Sequence, residues 1–98
     1  MKYLQSDIEK VIREFRNIGP KTAPFFAKAG MTELEELKKL GTEEVYLQLW
    51  EKNHGQIMLH PCMAYAIEGA LTDTAWNKIP ETRKKELNAF YKKLKNSI

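Results

Sequence analysis

Apolar residues recur at helical spacing from the start of the chain. The first apolar face consists of four residues at positions i, i+3, i+4 and i+7: Ile8, Val11, Ile12 and Phe15. Ser6 and Glu9 form an S-x-x-E capping box at the beginning of this face, and such a box marks a helix N-terminus. The pattern predicts a first helix over residues 7–16.

Glycine and proline delimit the second predicted helix. Residues 17–19 form a turn, and Pro20 suits a first helical position because its missing N–H is not needed there. The helix then runs to Ala29 and stops at Gly30. Its predicted core residues are Ala23, Phe26 and Ala27.

Two short helices are predicted in the middle of the chain. Thr32 and Glu35 form a second capping box for the third helix, which Gly41 closes. Thr42 then caps the fourth helix, which ends in the stretch EKNHG at residues 51–55. The apolar sides of these helices carry Leu34, Leu37, Leu40, Val45, Leu49 and either Tyr46 or Trp50.

The most apolar stretch is HPCMAYAIEGAL, residues 60–71. Because it is apolar on nearly every side, it predicts a helix that is buried at the centre of the fold. Gly69 within it indicates the close approach of a neighbouring helix. Cys62 lies in this helix, where a free cysteine typically behaves as a small hydrophobe.

A loop, TDTAWNKI, separates this helix from the last one, which Pro80 opens. Trp76 in the loop has two interpretations: its indole fills a gap in a small core, or it is an exposed anchor for a partner. The apolar face of the last helix consists of Leu87, Phe90, Tyr91 and Leu94.

The whole pattern is helical. No segment shows the period-2 alternation that indicates a strand, and a length of 98 residues fits one domain. We therefore predict an all-α fold in which residues 1–98 form a single compact domain of about six short helices.

The net charge is +3, and the basic residues concentrate at the two ends of the chain. Residues 1–31 carry six basic and three acidic side chains, residues 32–51 carry two and six, and residues 52–98 carry eight and four. A polyanion can approach the ends, whereas the acidic middle repels it and suits a basic protein partner. The same charges also fit an ordinary solvated surface.

Composition also bears on location. No apolar run approaches the length of a membrane span, and the N-terminus lacks the apolar region of a secretory signal. Cys62 is the only cysteine, so no internal disulfide forms. These features predict a cytoplasmic protein with no membrane partner.

Catalytic and metal-binding candidates are few. His54, His60 and Cys62 lie close in sequence, but a structural zinc site needs four ligands and no second pair is present. His60 precedes Pro61 at a helix start and suits a capping or loop role. The sequence lacks a nucleophile elbow, a P-loop and a dinucleotide fingerprint. We predict no enzymatic activity, no cofactor and no metal.

The stretch NIGPKT, residues 17–22, is the strongest candidate site. A helix N-terminus presents unpaired N–H groups to anions. Gly19 lets a phosphate come close because it has no Cβ, and Arg16 and Lys21 add positive charge. The predicted nucleic-acid-binding residues are Arg16, Asn17, Ile18, Gly19, Lys21 and Thr22. Such a site would bind the backbone of duplex DNA weakly and without sequence preference; an ordinary helix–helix turn is the alternative.

Longer motifs around this stretch carry a family resemblance. NIGPKTAPFFAKAGMTELEEL resembles a helix-hairpin-helix motif, whose hairpin usually reads glycine, apolar residue, glycine. Asn17 stands at the first glycine position, and asparagine tolerates positive φ. The blocks RNIGPKTA, KAGMTELEELKKLG and YAIEGAL…W, in this order, are similar to the C-terminal domain of the TfoX/Sxy competence-regulator family over roughly residues 13–87.

The resemblance implies an all-α domain related to helix-hairpin-helix modules, with a regulatory rather than catalytic role linked to bacterial DNA-uptake competence. Family members often have a separate N-terminal domain, for which this chain has no room. Pro24 departs from the pattern, since in a helix that begins at Pro20 it removes an interior donor and distorts the first turn. Two functions remain open: weak binding of the DNA backbone, and contact with a transcription or other regulatory protein without direct nucleic-acid binding.

Overall fold

The helix Pro61–Thr72, which the sequence predicts to lie at the centre, organises the fold. The structure, a computed structural model, describes residues 5–57 and 60–97. These residues form six α-helices and one 3₁₀ helix, and they contain no strand. In chain order the elements are α1 Gln5–Glu14, α2 Ala23–Lys28, α3 Leu34–Leu40, α4 Thr42–Lys52, α5 Pro61–Thr72, the 3₁₀ helix Trp76–Lys78, and α6 Glu81–Asn96. The all-α prediction is confirmed.

Helix α5 packs against α3, α4, α6 and the 3₁₀ helix. It buries Met63, Ala64, Ile67 and Ala70 in one hydrophobic core. The radius of gyration of 12.6 Å is close to the value of about 12.6 Å that a compact domain of this length has. The predicted span of 1–98 includes residues 1–4, 58–59 and 98, which lie outside the described residues.

The pair α1 and α2 forms a second layer that packs on α4 through α2. Phe15 and Phe26 meet edge to face, with ring centroids 5.3 Å apart, and both are buried. The predicted core residues Ala23, Phe26 and Ala27 are confirmed. Aromatic contact of this kind holds the two helices together on either side of the turn that joins them.

Helix α2 begins later than predicted. The expected start at Pro20 is wrong, because residues 20–22 form a turn in which Thr22 and Ala23 donate their N–H groups to the Gly19 carbonyl at 3.2 and 2.9 Å. Pro24 therefore lies in the first turn of α2, where a missing N–H leaves no bond unmade. The distortion expected from Pro24 does not arise.

The side-chain caps predicted from Ser6 and Thr32 are also wrong. Helix α1 already includes Ser6. At α3 the capping position is Glu33, with no side-chain cap. The reason is a tertiary contact: Lys10 Nζ donates to the Thr32 carbonyl at 2.7 Å and to Glu33 Oε2 at 3.0 Å, which fixes the chain before α3 in an extended conformation.

Thr42 and His60 show how tertiary structure decides capping. Thr42 is buried and is the first residue of α4 rather than its cap, because its hydroxyl donates to Glu68 Oε1 on α5 at 2.6 Å. The capping role predicted for His60 is confirmed, since its Nδ1 accepts the N–H of Cys62 at 3.0 Å. Cys62 itself is exposed.

An ion-pair network joins α4, α5 and α6. Arg83 binds Glu43 in a bidentate arrangement at 2.7 and 2.9 Å, and its Nε lies 3.0 Å from Glu68 Oε1. The hydrogen bonds from Arg83 hold the pKa of the Glu43 carboxyl below its usual value. Bidentate geometry makes this contact more specific than the other surface ion pairs of the chain.

Gly69 is buried on α5, and its neighbour is not the helix that the sequence suggested. A Cβ at this position would overlap the Asn17 side-chain nitrogen and the Thr74 carbonyl oxygen. The close approach thus comes from the turn after α1 and from the chain that leaves α5. Glycine is required here for space.

We predict that Gly69→Ala destabilises the protein. Forcing a methyl group into this contact costs about 2 kcal/mol, which outweighs the gain of about 1 kcal/mol in helix propensity. The Tm should fall by several degrees in thermal denaturation followed by circular dichroism. Gly19→Ala is the matched control, because a Cβ at Gly19 meets no atom within 4 Å. Equal Tm values for the two variants would contradict the contact.

Candidate nucleic-acid interface

The six predicted site residues lie together in the turn between α1 and α2; we term residues 16–22 the hairpin. Asn17 has a left-handed backbone with φ of 71°, as its position in the motif predicts. The Ile18 N–H donates to the Phe15 carbonyl at 3.1 Å, and the Ile18 side chain is buried. Ile18 therefore anchors the hairpin in the core and is not a contact residue.

Asn17 fixes the hairpin to the segment that follows α5. Its Nδ2 donates to the Thr74 carbonyl at 2.9 Å, and its Oδ1 accepts the N–H of Trp76 at 3.2 Å. Both bonds use the side chain, and both span more than fifty residues of sequence. Gly69 leaves the space in which this amide lies. We term these two hydrogen bonds the Asn17 clamp.

Four backbone N–H groups of the hairpin have no acceptor in the part of the chain that the structure describes: those of Arg16, Asn17, Gly19 and Lys21. The donors of Gly19 and Lys21 lie on either side of Pro20. Pro20 between them has no N–H. The surroundings of Gly19 are open, since a Cβ there would meet nothing within 4 Å. These donors are therefore free to bind an acceptor from outside the protein, such as a phosphate oxygen.

The side chains near these donors carry positive charge. Lys21 is exposed and forms no ion pair with any residue of 5–57 or 60–97. The Thr22 hydroxyl makes no capping bond to α2. Arg16 is half-exposed, and its Nη1 lies 3.5 Å from both the carboxylate and the carbonyl oxygen of Asp73. Long, solvated contacts of this kind are weak, so Arg16 remains available to an anion.

The origin of the predicted phosphate site needs correction. The sequence predicts that the N-terminus of a helix beginning at Pro20 binds the anion, but α2 begins at Ala23 and has only six residues. The N–H of Ala23 is already bonded to the Gly19 carbonyl, and that of Phe25 is bonded to the Thr22 carbonyl. Whatever anion affinity the hairpin has must come from its unbonded N–H groups and from the side-chain charges.

Asp73 and Trp76 are site residues that the sequence argument did not connect with the hairpin. Asp73 ends α5 in a left-handed conformation and faces Arg16. Trp76 is 49% exposed, which decides between the two interpretations of this residue: its indole does not fill the core. Ile12, also exposed, lines an open groove beside the hairpin together with Arg16 and Asp73.

Other kinds of site find little support in the described ranges. No group of three or more histidine, cysteine, aspartate or glutamate side chains there is arranged to hold a metal ion. No helix there combines the length and the apolar character that crossing a membrane requires.

Comparison with known proteins places this hairpin within a family. The sequence profile described as the TfoX C-terminal domain matches residues 8–91, which includes the hairpin, the Asn17 clamp and α5. The chain belongs to the TfoX C-terminal domain family. The resemblance read from the three sequence blocks is thereby confirmed.

A solved structure agrees with this TfoX C-terminal fold. It is the crystal structure, in a triclinic form, of an uncharacterized protein from Listeria monocytogenes. The two chains are 33% identical, with a TM-score of 0.73, and the match covers 86% of this chain and 92% of that one. A comparison with curated proteins gives no match.

We predict that two substitutions of Asn17 separate the contribution of its side-chain hydrogen bonds from that of its left-handed backbone. Asn17→Gly loses the clamp but keeps the left-handed backbone without strain, whereas Asn17→Ala loses both, at an added cost of roughly 1 kcal/mol. Urea denaturation should therefore rank wild type above Asn17→Gly, and Asn17→Gly above Asn17→Ala. If both variants were as stable as the wild type, the clamp would contribute nothing to the fold.

Proposed function

We propose that this TfoX C-terminal domain is a small, non-enzymatic regulatory module that binds the phosphate backbone of duplex DNA through its hairpin. The observation that carries the proposal is the pair of free N–H groups on Gly19 and Lys21, next to the unpaired Lys21 side chain. Backbone N–H groups and lysine side chains are common donors to phosphate oxygens.

Binding of this kind is weak and independent of sequence. One hairpin reaches few phosphates, and phosphate contacts carry no direct information about the bases. We expect a Kd on the order of 10⁻⁴–10⁻⁶ M at physiological salt.

The acidic segment 32–51 opposes DNA less than its composition suggests. Four of its six carboxylates form ion pairs within the protein: Glu33 with Lys10, Glu35 with Lys38, Glu36 with Lys39, and Glu43 with Arg83. Pairing reduces the field of these charges at a distance. Three of the paired acids lie on or just before α3, which packs against α4 and α5.

Contact with a transcription or other regulatory protein is the second function, and the exposed Trp76 favours it. Tryptophan is enriched among the residues that dominate protein interfaces. Ile12 adds a second exposed apolar side chain beside the hairpin. Under this alternative the hairpin is only a turn, and the protein makes no direct contact with nucleic acid.

A cytoplasmic location, where both kinds of partner occur, is part of the proposal. The link to DNA-uptake competence stays a prediction from the family resemblance alone.

We predict that Lys21→Ala weakens binding to unrelated duplexes by the same factor. If Arg16 and Lys21 each neutralise one phosphate, log K against log salt should have a slope of about −2 in the wild type and about −1 in the variant. Fluorescence anisotropy of labelled duplexes at several salt concentrations gives both quantities.

Lys93→Ala is the matched control, since Lys93 is an exposed lysine on α6, outside the hairpin. If this variant loses as much affinity as Lys21→Ala, binding is diffuse attraction to a basic surface. If the wild type binds no duplex even at low salt, the hairpin is structural and the protein-interaction function replaces the DNA function.

We predict that Asp73→Asn strengthens DNA binding. The substitution removes a negative charge beside the hairpin and releases Arg16, and asparagine tolerates the left-handed backbone of residue 73. Affinity should rise several-fold at low salt, because a repelling charge is lost and Arg16 no longer has to leave Asp73 to meet phosphate, while the slope of log K against log salt should stay at about −2. An unchanged or reduced affinity, with stability retained, would contradict a phosphate contact at Arg16.

A further inference from the structure

We propose that Trp76 is a second contact residue and that its indole stacks on an unpaired base, so that the preferred ligand is DNA with unpaired bases next to duplex. This inference rests on the proposed function, because the hairpin supplies the contact to the neighbouring phosphates. It adds a substrate class, gapped or partly single-stranded DNA, that backbone binding alone does not select.

The position of Trp76 is set by the hairpin itself. The Trp76 N–H donates to Asn17 Oδ1, and Asn17 precedes the free N–H groups of Gly19 and Lys21 by only a few residues. The backbone that carries the indole is therefore tied to the backbone that carries the donors.

The segment that carries Trp76 is also fixed at its C-terminal end. Trp76 begins a 3₁₀ helix in which the Lys78 N–H donates to the Ala75 carbonyl at 2.8 Å, and Ile79 directly after it is buried in the core. The Asn17 clamp holds one end of the segment and Ile79 holds the other. Little backbone freedom is left to be lost when a ligand binds.

Exposure of large apolar side chains is concentrated near the hairpin. Three such residues are exposed in the described ranges: Ile12, Leu40 and Trp76. Leu40 ends α3, whereas Ile12 lines the groove beside the hairpin and the backbone of Trp76 is bonded to Asn17, and Trp76 is the most exposed of the three. A single exposed apolar residue needs no explanation, but an exposed indole whose backbone is hydrogen-bonded to the hairpin does.

The chemistry of the surroundings favours a base over an apolar protein surface. Arg16, Lys21 and Lys78 are exposed cations in or near this segment, and unbonded N–H groups accompany them. Aromatic rings within a positively charged groove are how proteins bind single-stranded nucleic acid, with the bases stacked on the rings. Inside an intact duplex the faces of the bases are already stacked, so only an unpaired or terminal base can accept the indole.

The test compares two DNA probes with the same flanking sequence, an intact duplex and a duplex that contains a short gap. The protein carries Trp50→Phe, so that Trp76 is the only indole and its fluorescence reports stacking. The gapped probe should bind roughly tenfold more tightly than the intact one and should quench the indole beyond the quenching that the terminal bases of the intact duplex cause. These two readouts need no substitution at Trp76.

Substitutions then show which residues cause the preference for the gapped probe. Trp76→Ala should lower affinity for the gapped probe roughly tenfold and leave affinity for the intact duplex unchanged, while Trp76→Phe should retain most of the preference. Lys21→Ala should lower affinity for both probes by the same factor. Circular dichroism verifies that each variant is folded.

The outcomes separate the two proposals. Equal affinity for both probes without additional quenching by the gapped probe would overturn the stacking role and leave the backbone contact standing. Equal losses on both probes in Trp76→Ala would also overturn it, because a base contact affects only the gapped probe. If neither probe binds, both proposals fail. Quenching by a polyglutamate peptide, with none by gapped DNA, would overturn stacking in favour of an acidic protein partner.

Discussion

The amide side chain of Asn17 is the contact on which the arrangement of the candidate site depends. It joins a turn near the beginning of the chain to the segment that follows α5 by hydrogen bonds to Thr74 and Trp76. The contact requires a left-handed residue at position 17 and no Cβ at position 69. Because even a half-buried amide without partners is costly, the sequence must satisfy both conditions together.

The clamp also explains why backbone N–H groups of the hairpin remain without an acceptor. Asn17 uses its side chain, not the hairpin backbone, to hold the two segments together, and Ile18 supplies the apolar anchor. The N–H groups of Gly19 and Lys21 take no part in either contact. A turn that is rigid and yet has unbonded donors is preorganised for an external acceptor, since little has to rearrange when the acceptor binds.

The sequence predicted what depends on local periodicity and failed where distant contacts decide. All-round apolarity predicted the central place of α5, and residue spacing predicted the buried face of α2 and two buried residues of α6, Leu87 and Leu94. The cap predicted for α3 was wrong because Lys10, far away in sequence, binds Thr32 and Glu33. Thr42 was misassigned because its hydroxyl bonds to α5. Gly69 signalled a close approach, but no local pattern identifies Asn17 as the group that approaches.

The central claim is that the unbonded N–H groups of the hairpin bind phosphate, and amide chemical shifts test this claim most directly. In a titration of ¹⁵N-labelled protein with a short DNA duplex, the backbone N–H signals of Gly19 and Lys21 should move first and furthest, and those of α3 should hardly move. Without DNA, the same two N–H groups should exchange rapidly with solvent, because no acceptor within the described residues protects them. Slow exchange at Gly19 and Lys21, or shifts confined to other parts of the molecule, would contradict the role proposed for the hairpin.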